Sequence, residues 1–111
     1  MTPSSEPDWQ LEVTALTRCP GVRLRGEVDL STVPTLELAL DLLVETAGDV
    51  TVDLHKLTFI DVLGSRALAQ AAIRLCATGR RMRLRGANPQ LRRMLSVLGW
   101  AELFDFPLAE G

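Results

Sequence analysis

The chain has 111 residues, which suits one domain with one modest core. Hydrophobic residues make up 47% and the formal net charge is −2, so the composition is globular and exerts no general pull on nucleic acid or anionic membranes. No apolar run approaches the roughly 20 residues of a membrane-spanning helix, and Met1 to Asp8 lacks the basic start and apolar stretch of a secretory signal, so no membrane insertion and a cytoplasmic location are expected.

Residues 1–8 read as a loose tail of Ser, Pro and acid, residues 9–107 as the domain, and residues 108–111 as a second tail. Trp9 to Thr17 alternates partly and predicts a strand. Arg18-Cys19-Pro20-Gly21 is turn chemistry. Val22 to Val28 predicts a second strand, with Val22 and Leu24 inward and Arg23 and Arg25 outward, pairing with the first as an antiparallel hairpin. Ser31 or Thr32 can cap the next helix, with Pro34 in its first turn and an end near Ala47. Its buried stripe is Leu36, Leu40, Leu43, Val44 and Ala47. Glu37, Asp41 and Glu45 form an acidic row, read as a solvated face or a partner-facing patch.

Val50, Val52 and Leu54 alternate with Thr51 and Asp53, which predicts a central strand followed by a short apolar connection. Asp61 is placed to cap a second helix from about Val62 to Thr78, stopped by Gly79. Its apolar positions are Val62, Leu68, Ala69, Ala72, Leu75 and Cys76, while Arg66, Gln70 and Arg74 lie on another face. Met82 to Gly86 predicts a strand. Asn88-Pro89 starts a third helix with the stripe Leu91, Met94, Leu95 and Leu98, and Trp100 to Phe106 predicts a turn and short edge strand. The order β-β-α-β-α-β-α, with a final β open, implies an α/β fold: a mixed sheet packed with about three to four helices.

The usual catalytic constellations are missing. The lone histidine, His55, has no nucleophile or metal-ligand partner in sequence and reads as a surface loop residue. There is no Gly-x-Ser-x-Gly elbow and no phosphate loop. The pairs Glu27/Asp29 and Asp53/Asp61 each have structural readings at strand and helix ends. Two cysteines are too few for a disulfide scaffold. No enzyme, metal or cofactor is expected. Arg80, Arg81, Arg83, Arg85, Arg92 and Arg93 crowd the last third, but the chain has no tyrosine and few aromatics to stack bases. A solvated face is the expected reading, with no direct nucleic-acid binding.

Four motifs in order resemble the STAS domain of bacterial anti-sigma factor antagonists. They are Arg25-Gly26-Glu27-Val28-Asp29-Leu30-Ser31-Thr32, the strand Val50 to Leu54, Leu57-Thr58-Phe59-Ile60-Asp61 running to Gly64, and Asn88-Pro89 leading to Leu98-Gly99-Trp100 and Leu103-Phe104. The resemblance covers roughly Leu11 to Phe106. It implies a non-enzymatic module that binds an anti-sigma factor, typically a serine kinase, and so influences sigma-factor-dependent transcription by partner switching. It also implies a contact surface at Thr58, Asp61, Val62, Leu63, Gly64, Ser65 and Arg66. The family's phosphorylated hydroxyl falls at Leu63, which cannot accept phosphate, and Val62 cannot either. Ser65 is the nearest candidate for a displaced acceptor, but two residues turn it about 200° round the helix, at roughly 100° each. The alternative role is a STAS subunit of a larger assembly, a lipid transporter complex or a stress-sensing complex.

Overall fold

The computed structural model describes residues 10–107; the expected tails, and Trp9 as a strand start, lie outside them. The elements are β1 (Leu11–Ala15), β2 (Gly21–Val28), α1 (Val33–Val44), β3 (Val50–Ile60), α2 (Val62–Cys76), β4 (Met82–Arg85), α3 (Pro89–Val97), a 3-10 turn (Ala101–Leu103) and β5 (Phe104–Asp105). They form one mixed sheet of five strands in the order β1-β2-β3-β4-β5. β1 is antiparallel to β2, and every later pair is parallel.

That order never reverses. Crossovers of one hand between β2, β3, β4 and β5 therefore carry α1, α2 and α3 to the same face. Val22, Leu24, Val50, Val52, Leu54, Met82 and Leu84 point into this covered face and are buried with Leu36, Leu40, Leu68, Leu75 and Leu95. The residues between them in the strands, Arg23, Arg25, Thr51, Asp53, Arg83 and Arg85, belong to the opposite face. With no reversal of strand order there is no switch-point crevice of the kind that holds ligands in doubly wound sheets.

Several boundaries differ from the sequence reading for physical reasons. β1 stops at Ala15, because Leu16 already donates its amide to Gly21 across the turn. β3 runs on through the supposed apolar connection to Ile60. Its register against β2 slips twice, between Arg23 and Arg25 and between Gly26 and Glu27. The slips let β3 spend extra residues, so that Leu54 and Ile60 both return to the core. α1 ends at Val44, and Ala47 is exposed beyond it rather than buried. The expected final strand exists as β5.

Cap chemistry is mixed. Asp61 Oδ1 accepts from Gly64 N at 3.0 Å and Asn88 Oδ1 from Leu91 N at 2.8 Å, as expected. Thr32 occupies the cap position of α1 but makes no cap bond. Its hydroxyl donates to Glu27 O at 2.9 Å and accepts from Asp29 N at 2.9 Å, which ties the β2–α1 turn together instead. Arg80 follows α2 but reaches the C-terminal end of α1, donating to Thr46 O and to Val44 O. Cys76, expected in the core, is half-buried beside Arg81 Nη1.

Candidate functional site

Val28 pairs with Ile60, and Asp61 N donates to Val28 O at 3.1 Å. The β2–α1 turn and the start of α2 are therefore neighbours at one end of the sheet. Three large apolar side chains are open to solvent in these segments: Leu30 is 75% exposed, Phe59 51% and Val62 48%. Leu63 is half-buried, and Thr58 and Arg66 are exposed. Asp61 and Asp29 bring carboxylates beside the apolar tip. A bond from the Ser31 hydroxyl holds the Asp29 carboxyl below its ordinary value, against the smaller opposing effect of burial.

The seven residues expected at this surface divide into two sets. Thr58, Val62 and Arg66 face outward, with Asp61 and Leu63 partly covered. Gly64 and Ser65 face inward. A Cβ at Gly64 would lie 2.5 Å from Val28 Cγ1 and 2.7 Å from Ile60 Cγ1, so only glycine lets α2 sit this close to the sheet. Ser65 is 0% exposed; its hydroxyl donates to Asp61 O at 3.1 Å and lies 3.2 Å from Met94 Sδ. Its oxygen closes the first turn of α2 and is buried, which adds to the helix-phase argument against Ser65 as a displaced acceptor. The Thr58 hydroxyl is committed as well, donating to Gly26 O at 2.9 Å where β3 bulges. Leu30 escaped the sequence reading, since only the pairing of Val28 with Ile60 shows that its turn adjoins α2.

A second constellation was also missed. Asp53 is 2% exposed in the middle of β3, on the face away from the helices. Its carboxylate accepts from the His55 amide at 2.9 Å, meets His55 Nδ1 at 2.9 Å, and accepts from Arg23 Nε and Nη2 at 3.3 Å. Arg85 Nη1 stands 3.7 Å away. Burial alone pushes the carboxyl up, but the amide and ring of His55 and the charges of His55 and Arg23 outweigh it and hold the group below its ordinary value. His55 is thus exposed, as expected, but it is a strand residue with a buried carboxylate partner rather than a loop residue without one. Among the described residues, no group of three or more His, Cys, Asp and Glu is placed to hold a metal ion, and no helix is long and apolar enough to cross a membrane.

Solved structures with this architecture include the unphosphorylated anti-sigma factor antagonist SpoIIAA, with a TM-score of 0.67 and 18% identity over 90% of this chain and 89% of that one. An anti-sigma factor antagonist from Mycobacterium paratuberculosis gives 0.71 and 20% over 89% and 86%. The phosphorylated form of the Bacillus protein SpoIIAA gives 0.65 and 19% over 87% and 90%. At these identities the likeness is one of fold. A comparison with curated protein sequences finds no match. The family model described as "Mlab, STAS domain" matches residues 11–106, from the first residue of β1 to just past β5, and the chain therefore belongs to that family of STAS domains.

Proposed function

We propose that the domain is a non-enzymatic binding module of the cytoplasm that docks an anti-sigma factor, of serine-kinase fold, through the start of α2 and the turns beside it, and so influences sigma-factor-dependent transcription. The observation that carries this reading is the exposed apolar tip of Leu30, Phe59 and Val62 beside the capped helix. Exposed apolar side chains in segments that adjoin at a helix start, with Asp29, Asp61 and Arg66 in the same segments, favour a protein partner. Leu63 stands at the position where the family's acceptor hydroxyl falls. The contact therefore escapes the usual phosphate switch, in which about −1.5 to −2 charges enter the interface, and the module binds constitutively.

The test is phosphorylation and binding in parallel. Incubated with a serine-kinase anti-sigma factor and ATP, the wild type should stay unmodified across Leu57 to Arg74 by mass spectrometry and should bind by calorimetry. Leu63→Ser restores a hydroxyl; it should accept phosphate and then bind more weakly. Phosphate on wild-type Thr58 or Ser65 with loss of binding would overturn the claim of a missing switch. The second reading, a STAS subunit of a larger assembly such as a lipid transporter or stress-sensing complex, draws on the matched family and on the absence of an acceptor at Leu63. Recovery of assembly components, with no kinase-fold partner, in a pull-down from the native cell would favour it.

A further inference from the structure

The face of the sheet turned away from α1, α2 and α3 carries a cross-strand pattern that the first site does not use. One row runs Thr14, Arg23, Asp53, Arg85 across β1 to β4. The row on one side runs Glu12, Arg25, Lys56, and the row on the other Thr51, Arg83, Asp105. The acids of these rows already have cationic partners. Glu12 pairs with Arg25, Asp53 with Arg23, and Asp105 with Arg81. Lys56 and Arg83 are left over, both exposed and, among the described residues, without an ion pair. Arg18 joins them from the β1–β2 turn. Glu27, a further acid, lies at the upper end of this face beside Phe59.

Two shallow clefts mark the same surface and share Arg23. One, of about 230 Å³, is lined by Arg18, Arg23, Arg85 and the stems of Leu16 and Thr17. The other, of about 400 Å³, is lined by Arg23, Arg25, Lys56, Glu12 and Thr14. A chain with a net charge of −2 thus keeps a cationic trough on its uncovered side. Asp53 sits beneath it, accepting from the Arg23 fork at 3.3 Å, with Arg85 Nη1 3.7 Å away.

We infer that this open face is a second docking surface, for an extended acidic segment of a protein partner carrying at least two carboxylates. Charge complementarity sets the sign of the occupant, and guanidinium forks match carboxylates in bidentate geometry. The seating of Glu12 against Arg25 at 3.6 Å shows the type of contact on this surface. Nucleic acid is a poorer fit. Among the described residues the trough has no aromatic side chain to stack a base, since Trp100, Phe104 and Phe106 lie with the core and Phe59 stands above the upper end. A membrane surface is a poorer fit too, because the clefts are lined mainly by charged and polar side chains, with only Leu16, partly exposed, as a large apolar group.

Fluorescence anisotropy of a labelled peptide of about ten residues, alternating Glu and Ser, tests the assignment on the full chain, using an interaction that salt must screen. Lys56→Glu combined with Arg83→Glu changes two residues without ion pairs, so the fold should survive, and a circular-dichroism melt checks this. The double variant should weaken the peptide at least about tenfold, and raising salt tenfold should do the same to the wild type. Arg93→Glu, on α3, should leave binding unchanged. The inference is overturned if the peptide does not bind, if the double variant binds as well as wild type, or if single-stranded DNA or anionic vesicles bind more tightly than the peptide. Val62→Asp, at the apolar tip, should not alter peptide binding; a loss there would place the peptide at the first surface and equally defeat the proposal.

Discussion

Asp53→Asn removes one charge from the hub of the open sheet face and changes little else in shape. The amide oxygen can still accept from the His55 amide, now 2.9 Å from Asp53 Oδ1. The amide nitrogen replaces Oδ2, however, and turns its hydrogens toward the donors of Arg23, which stand 3.3 Å away. A hydrogen bond to a charged group is worth about 1.5–3 kcal/mol. The Arg23 side chain is 49% exposed and can turn to water, so the expected loss is toward the lower end, about 1–2 kcal/mol. In a domain of this size 1 kcal/mol moves Tm by about 4–8 °C, so Tm should fall by about 4–16 °C. The pH dependence gives the sharper check. The folded carboxyl titrates below its ordinary value of 3.8. The stability it contributes is therefore complete above that value and is lost as pH falls through the folded pKa. Thermal melts followed by circular dichroism should show wild type and variant well separated near neutral pH and converging below about pH 4. Equal Tm values near neutral pH, or a gap that widens in acid, would refute the argument that Asp53 is an ionised hub.

Five other substitutions probe the helix that carries the first site. Asp61→Ala should cost about 1 kcal/mol through loss of the cap bond to Gly64, read by urea denaturation; an unchanged midpoint would remove Asp61 from that role. Leu68, at 0% exposure, should cost about 2–5 kcal/mol when changed to Ala. Arg66→Ala and Gln70→Ala, on the exposed side of the same helix, should stay within about 0.5 kcal/mol, and similar losses for both sets would show the helix phase to be wrong. Gly64→Ala should destabilise by about 1–3 kcal/mol, the range for overpacking, since Val28 at 0% and Ile60 at 8% exposure have little room to withdraw; a more stable variant in the same denaturation series would contradict the close approach of α2 to the sheet.

The layout was legible because its signals are local. Period two in Val50-Thr51-Val52-Asp53-Leu54, the caps Asp61 and Asn88, and the glycines Gly79 and Gly99 at positive φ each act within a few residues. The family's four motifs then fixed their order. What escaped depends on pairing across the sheet. β3 seemed to end at Leu54 because two register slips break its alternation, and a pattern read with period two cannot follow a strand that bulges twice. His55 follows Asp53 by two residues on the same face of β3, and its amide and ring both meet the carboxylate.

The site was half legible for the same reason. A helical wheel places Val62 and Arg66 on one side, but not the depth of Ser65, which depends on Met94 of α3 arriving 3.2 Å from its hydroxyl. Nor does sequence alone show which arginines share a surface. Arg80, Arg81, Arg83, Arg85, Arg92 and Arg93 look like one cluster in the chain, yet the fold scatters them. Arg80 goes to the end of α1, Arg81 to Asp105, and Arg92 over the ring of Phe106 at 4.6 Å. Arg83 and Arg85 share the open face with Arg23 and Arg25 from a strand about sixty residues earlier, with β3 between the two strands. The cationic face is therefore a product of the monotonic strand order. By sending every helix to one side, that order both buries the core and leaves the arginines of β2 and β4 uncovered around a single buried carboxylate.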